Sequence, residues 1–377
     1  YSAIVNSNVS FENTIRYYPT YQNTSFFGPD TVKFYVTDSD DTVSNTGMIT
    51  FDVLEVTRGT AEYINDMDFY NDYIFVGGYK NWGDASFYIA KYDSNGNMTW
   101  ENDYNISSDN DLVYGIDATS DGGVIATGYD KTTGSTLLSV LKVDANGTQE
   151  WQKTFTDMLF ANSVKETSDG GFILGGVQSG SSPNYNDIVL VKLASDGTKS
   201  WSKEYELQSN QNTEELIVAS DGGFLIVDGA GSSIQKVDSN GNQEWRTNVG
   251  AYVYDGIQTS DGNYLITSLT KVYNFSSTGS LIWTSDDLTA SVGGELSNIT
   301  TASDGGFFVS NTNMIFKLNS SGTVTKEKPF GTRANVMNFG HIHRDSANNI
   351  YISGNYVKWI DNSYGIIKVS EDLTPIW

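Results

Sequence analysis

A glycine followed four residues later by a tryptophan recurs along this chain at a constant offset: Gly96/Trp100, Gly147/Trp151, Gly197/Trp201, Gly241/Trp245 and Gly279/Trp283. A sixth copy keeps Gly322 but has Lys326 at the tryptophan place. A seventh keeps Trp377 but has Leu373 at the glycine place. Each copy ends a longer pattern of a Ser-Asp-Gly-Gly-like turn, an apolar run and a Lys-x-Asp step. The clearest runs Ser120-Asp121-Gly122-Gly123, then Leu141-Lys142-Val143-Asp144, Gly147 and Trp151. An internal period of about 40–50 residues marks a repeat architecture, in which each unit buries its faces only against its neighbours.

Turns punctuate the chain at Asn71-Asp72, Ser120–Gly123, Ser168–Gly171, Ser220–Gly223, Ser260–Asn263, Ser303–Gly306 and Ser346–Asn349. A short apolar strand follows each, for example Val124–Ala126 or Phe224–Val227. One strand precedes each turn, a third carries the repeated lysine, and a fourth begins near the tryptophan. Gly, Asn and Asp supply the backbone conformations that such tight turns need. Four antiparallel strands per unit, repeated around a ring, are the blades of a β-propeller. The spacing predicts seven blades, over 60–108, 109–158, 159–207, 208–249, 250–289, 290–331 and 332–377. The tryptophans are expected to fill the gaps between blades in largely buried places. Ring closure is expected by packing of blade 7 on blade 1, without strand exchange.

The segment Leu141-Lys142-Val143-Asp144-Ala145-Asn146-Gly147-Thr148-Gln149-Glu150-Trp151 resembles the repeat of bacterial and archaeal secreted propellers. It is also similar to the tryptophan-docking motif of quinoprotein-like propellers. That resemblance covers about residues 60–377 and implies the fold. Quinoprotein dehydrogenases would imply a bound quinone and a calcium site, but the vicinal cysteine pair many of them carry has no counterpart here, and no cofactor ligand set can be matched. Residues 1–57 lack the repeat. Within them, Phe27–Asp38 and Gly47–Val53 resemble the second half of a bacterial Ig-like or cadherin-like tandem domain. Their alternation suits half-buried sandwich strands. Fewer than 60 residues is short for a sandwich of about 100, so the expectation is a partial one. The reading is therefore all-β: a partial Ig-like sandwich (1–57), then a seven-bladed propeller of four-stranded antiparallel blades (58–377).

The formal net charge is −24. Such a surface repels phosphate backbones and anionic lipid and attracts cations, calcium among them. There is no cysteine, which excludes disulfides and thiolate metal sites. No run approaches the roughly 20 apolar residues needed to span a bilayer. The chain begins at Tyr1 with no visible signal peptide, as expected of a processed product or a piece of something longer.

The turn aspartates (Asp121, Asp169, Asp221, Asp261, Asp304) and hairpin aspartates (Asp93, Asp144, Asp238) recur in register, as architecture does; they are expected to bond turn amides. The repeated lysines (Lys91, Lys142, Lys192, Lys236, Lys317, Lys368) are expected to cover an exposed strand face or to pair with a nearby carboxylate. Asp38, Asp40 and Asp41 form an acidic loop suited to calcium. His341 and His343, the two histidines, face one side of a strand, which permits two imidazoles on one metal. In the other blades the counterparts of His343 are read as Asp117, Lys165, Ile217, Gln258 and Thr300, a mixed lining for a central channel. No nucleophile elbow, phosphate loop or zinc-protease motif is present.

The gap from turn to repeated lysine is 20 residues from Asn71 to Lys91, 21 from Asp121 to Lys142, 23 from Asp169 to Lys192 and 21 from Ala347 to Lys368. It falls to 15 from Asp221 to Lys236 and 13 from Asp261 to Asn274 and from Asp304 to Lys317. Long second-to-third-strand loops thus belong to blades 7, 1, 2 and 3, contiguous in a closed ring. They carry Trp82, Asp84, Tyr129, Asp130, Tyr185, Asp187, Tyr356, Trp359 and Asp361. Aromatics beside carboxylates suit a sugar or a peptide, and Trp82, Asp84, Tyr185, Trp359 and Asp361 are the ligand-binding candidates. The functional expectation is a non-catalytic, extracellular or cell-surface binding and adhesion module, with a surface glycan, a protein, further copies of itself or tandem Ig-like modules as partners. The alternatives are a structural subunit of a filament or surface layer and a glycan-active enzyme.

Overall fold

The computed structural model describes residues 28–34, 47–53, 63–80, 86–106, 111–132, 135–179, 186–205, 211–289, 294–312, 314–329, 336–358 and 361–376. The chain divides into two compact units, Tyr1–Val56 and Thr57–Ile376. In the first, Gly28–Phe34 pairs antiparallel with Gly47–Val53, in a register that sets Val32 opposite Ile49. The remainder of the expected sandwich, with Asp38, Asp40 and Asp41, lies outside the described residues.

The second unit is a seven-bladed β-propeller. Six sheets of four strands cover 63–104, 111–155, 160–205, 213–248, 253–284 and 296–329, each antiparallel and paired in chain order. The seventh, 336–370, has three strands among the described residues, and Pro375 bridges to Val369 where a fourth begins. The ring closes through contact of the first strand of blade 7 (Val336–Arg344) with that of blade 1 (Tyr63–Tyr70). No strand is exchanged between them among the described residues. The core lies between blades: Phe75 of blade 1 clusters with Val113, Ile116 and Val124 of blade 2, and the pattern recurs around the ring.

The glycine–tryptophan repeat is explained at these interfaces. Each tryptophan docks on the hairpin glycine of the following blade. A Cβ on Gly279 would lie 2.6 Å from the Trp245 ring, and one on Gly322 would lie 2.6 Å from Trp283. The indole N–H of Trp100 donates to Ala145 O (3.1 Å), that of Trp151 to Ser195 O (3.1 Å) and that of Trp245 to Ser277 O (3.0 Å). The rings of Trp151, Trp201, Trp245 and Trp283 meet Phe172, Phe224, Tyr264 and Phe307 of the next blade. The five tryptophans are half-buried rather than largely buried, because their outer faces form the rim of the ring. The two irregular copies are two sides of one interface. Lys326 of blade 6 replaces the tryptophan that would dock on blade 7, and there Leu373 (φ 63°) replaces the glycine.

The turn aspartates bond turn amides as expected: Asp121, Asp169, Asp221 and Asp304 each accept the N–H two residues on. The lysines do not cover an exposed face. Lys91, Lys142, Lys192, Lys236 and Lys368 are buried. Lys142, Lys192, Lys236 and Lys317 pair with their blades' turn aspartates at 2.9, 3.0, 2.9 and 2.8 Å. Lys91 and Lys368 instead donate to carbonyls of the next blade. Their stems fill the sheet interior while their ammonium groups reach the turn.

The long second-to-third-strand segments are strand rather than loop in two blades. In blade 2, Val124–Thr132 and Ser135–Val143 are nine residues each. In blade 7, Asn349–Lys358 and Asp361–Ser370 are ten each. The corresponding strands of blades 4, 5 and 6 have five residues or fewer. Extra residues that continue the pairing register raise these hairpins beside one end of the ring.

Candidate binding site at the central channel

The first strands of the seven blades face the axis. Strand alternation sends every second residue toward it, and the pairing registers align these residues in two rings. One ring is Asp66, Gly115, Ser163, Glu215, Asp255, Asn298 and His341. The other is Asp68, Asp117, Lys165, Ile217, Ile257, Thr300 and His343. Ile257, not Gln258, is the counterpart of His343, because Ile257 pairs Leu265 as Asp117 pairs Ile125. The first ring carries Asp66, Glu215 and Asp255, which sequence reasoning did not single out. Stepping two residues back along each strand from the second ring would have found it.

Many of these side chains join consecutive blades. Asp66 accepts the Ile116 amide (2.7 Å), Asp68 that of Ala118 (2.7 Å), Asp117 that of Glu166 (2.7 Å) and Asp255 that of Ile299 (3.0 Å). Ser163 Oγ accepts the Leu216 amide (3.1 Å). Lys165 lies 3.0 Å from Glu215 and 3.8 Å from Asp117. The two histidines, expected on one side of a strand, do share it, and each faces a blade 1 aspartate: His341 Nδ1 is 3.2 Å from Asp66 and His343 Nδ1 is 3.9 Å from Asp68. Among the described residues no group of three or more His, Cys, Asp or Glu is placed to hold a metal ion.

Crowded like charges shape the electrostatics. Burial raises the Asp66 carboxyl above its usual range, against the pull of His341 and Lys165. Burial and the Asp68 charge hold Asp117 well above that range. Burial and Glu215 push Asp255 up to about 7. Burial works against the Lys165 ammonium, but Glu215, Asp117, Asp68 and Asp66 outweigh it and hold its pKa well above the usual value. Burial lowers His343 against the opposing effect of Asp68. Acid–base pairing and desolvation thus act on the same few groups.

The channel encloses a cavity of about 900 Å3. At the end where the first strands begin, Tyr114, Asn162, Glu214 and Tyr254 line it. Tyr114 packs against Tyr129 and Phe160, each with ring centroids 5.5 Å away. Tyr252 packs on Tyr254 at 4.8 Å. The Tyr252 and Tyr254 hydroxyls donate to Glu214 and Glu295. The raised hairpins of blades 7 and 2 stand at this same end, since the second strand ends where the first begins.

Of the sequence-derived candidates, Trp82, Asp84, Tyr185 and Trp359 lie outside the described residues. Asp361 opens the third strand of blade 7, opposite Lys358. Tyr129 is brought to the channel mouth through Tyr114. Asp187 is buried in the third strand of blade 3.

No protein-family model matches this chain, and no curated protein does. Among solved structures it is similar to a streptogramin B lyase, with 15% identity, a TM-score of 0.61 and coverage of 83% of this chain and 97% of that one. It is similar to BamB from Moraxella catarrhalis, with 14% identity, a TM-score of 0.51 and coverage of 83% and 96%. It is also similar to YCF48 bound to a D1 peptide, with 11% identity, a TM-score of 0.58 and coverage of 85% and 96%. At these identities the likeness is one of fold, and the fold is the seven-bladed propeller that the glycine–tryptophan period predicts.

Proposed function

We propose that this chain is a non-catalytic binding module, working outside the cell or at its surface, that takes a segment of a partner protein at the tyrosine-lined mouth of the channel. The carrying observation is the conjunction at one end of the ring. An open polar cavity, the Tyr114 and Tyr254 rings and the Glu214 carboxylate meet there beside the raised hairpins of blades 7 and 2. Amphipathic tyrosines present large contact area with one polar tip, which suits a mixed peptide surface. A propeller of the same fold holds a peptide in the YCF48 structure, which supports a peptide over a glycan. The strongly acidic chain favours a partner segment carrying lysine or arginine, by electrostatic complementarity.

The test is a peptide array and a glycan array read with wild type and with a Tyr114→Ala, Tyr254→Ala double variant whose fold is verified by circular dichroism. The expected outcome is binding to basic peptides that weakens at least about tenfold in the variant, in line with loss of aromatic anchors. Equal binding by both proteins, or binding confined to glycans, sinks the assignment.

A second reading, as an enzyme, rests on Asp255 titrating near neutral pH in a channel that also holds His341. Such a carboxyl can move protons at physiological pH, and a streptogramin B lyase shares the fold. Turnover lost on Asp255→Asn with binding retained would select this reading.

A further inference from the structure

Both histidines of the chain sit on the first strand of blade 7 and face the first strand of blade 1. This seam closes the ring between segments far apart in sequence; each of the other six joins blades consecutive in the chain. At several of those seams the bridging donor is a backbone amide of the next blade, reaching Asp66, Asp117, Ser163 or Asp255. Backbone amides do not titrate in the physiological range. The closing seam is built differently. His341 Nε2 lies 2.8 Å from the Asn65 carbonyl oxygen. Its Nδ1 lies 3.2 Å from Asp66 Oδ1. A carbonyl only accepts, so Nε2 carries a hydrogen. Nδ1 and the Asp66 carboxyl can then share a hydrogen bond only if one further proton is present, on the ring or on the acid. Without it a nitrogen lone pair faces a carboxylate.

We propose that the seam between blades 7 and 1 is a proton-operated latch, in which a proton shared by His341 and Asp66 tightens ring closure and its loss loosens that one seam. The surroundings set the direction. Asp66 and Asp68 of blade 1, Asp117 of blade 2, Glu166 of blade 3, Glu214 and Glu215 of blade 4 and Asp255 of blade 5 share the channel with His341, against Lys165 of blade 3. Arg344 and Asp345 follow on its own chain segment, and the lining from blade 6, Ser297 to Thr301, is neutral. Burial, with Glu215 and against the pull of His341 and Lys165, holds the Asp66 carboxyl above its usual range, which favours retaining the proton. The latch is therefore closed at mildly acidic pH and loosens as pH rises. Beside it, His343 stacks on Phe69 with centroids 5.1 Å apart, an apolar contact that keeps the strands in register in either state. Blade 7 carries one of the raised hairpins, so the latch would also regulate the proposed binding mouth, a consequence that rests on that assignment; the latch itself does not.

Hydrogen exchange on the intact chain, corrected for intrinsic rates, at about pH 5.5 and about pH 8 tests the latch. Wild-type protection at 63–70 and 336–344 is expected to fall about tenfold or more at the higher pH, while 160–164 and 213–218, bridged at the seam of blades 3 and 4 by Ser163 Oγ and the Leu216 amide, hold constant. His341→Gln keeps a side-chain N–H donor but does not titrate, and it should abolish the difference. Unchanged protection at the closing seam, equal loosening at both seams, or a pH difference that survives in His341→Gln would each overturn the latch. The wild-type comparison stands without the variant, and failure of peptide binding leaves it untouched.

Discussion

At Gly279 the backbone is left-handed (φ 79°) and a Cβ would lie 2.6 Å from the Trp245 ring, whereas Gly222 (φ 83°) has nothing within 4 Å. Gly222→Ala therefore carries only the left-handed backbone cost, about 1 kcal/mol. Gly279→Ala adds overpacking, about 1–3 kcal/mol more. Urea unfolding of the two variants measures the difference, and equal losses would remove indole contact as the reason for the constant offset. The repeated lysines yield a second contrast. Lys236 is 2% exposed, while its partners Asp221 and Glu244 are 58% and 46% exposed. Lys236→Met leaves two carboxylates that water can solvate, and it should be nearly neutral. The double variant Asp221→Asn, Glu244→Gln strands a buried ammonium and should cost about 3 kcal/mol, as breaking a buried pair does. Comparable midpoints for the two variants would contradict this asymmetry. The aspartate roles were legible in the sequence, because turn chemistry is local. The lysine burial was not, because a residue between apolar neighbours on a strand does not reveal which sheet face meets another blade.

At the scale of the strand and hairpin, the period predicted the blades because tight turns and alternation are local signals. The gap lengths located the asymmetric blades but misjudged what fills them in two cases. Residues such as Tyr129-Asp130-Lys131-Thr132 pair in register with Ser135–Leu138, so most of the expected loop is strand. Alternation over a polar stretch is a weak signal beside a hydrophobic one. The constant offset hid its partner too: Trp and Gly of one copy belong to different interfaces. Blade 6 to blade 7 shows the consequence, since Lys326 and Leu373 depart from the repeat together. A double-mutant cycle tests that pairing. Leu373→Gly alone removes a fully buried side chain and should destabilise. Combined with Lys326→Trp it should lose less than the sum of the single changes, by about 1 kcal/mol, the size expected of contacting neighbours. Strict additivity would mean that the two departures are unrelated.

Over the whole molecule, most carboxylates whose acidity is shifted fall into two populations, and the buried Asp228 on the second strand of blade 4 is raised outside both. Those in the turns are lowered, Asp169 to about 2 by hydrogen bonds from Thr167 and Gly171 and by Lys192. Those in the channel are raised, Asp66, Asp117 and Asp255 among them. Sequence showed the first population and, of the second, only Asp117, because the channel depends on which residues seven separated strands turn inward together. The two act on stability in opposite directions. A lowered turn aspartate binds fewer protons folded than unfolded, so its contribution is present above the unfolded value of about 3.9 and is lost as pH falls toward 2. A raised channel carboxyl binds more protons folded, so its contribution is complete below about 3.9 and is lost as pH rises, for Asp255 through about 7. His343, lowered by burial, works the other way and restores some stability as pH rises toward about 6.5. With five raised acids (Asp66, Asp117, Glu214, Asp228 and Asp255) against one lowered histidine, the expected profile peaks at about pH 4–5 and declines toward pH 8. Asp255→Asn should flatten the neutral limb by about 1–3 kcal/mol, less than the shift alone implies because channel water screens the group. Thermal unfolding across pH measures it. A wild-type midpoint that climbs steadily from pH 5 to pH 8 would show that the channel carboxylates are stabilised as anions, by a counter-charge other than Lys165.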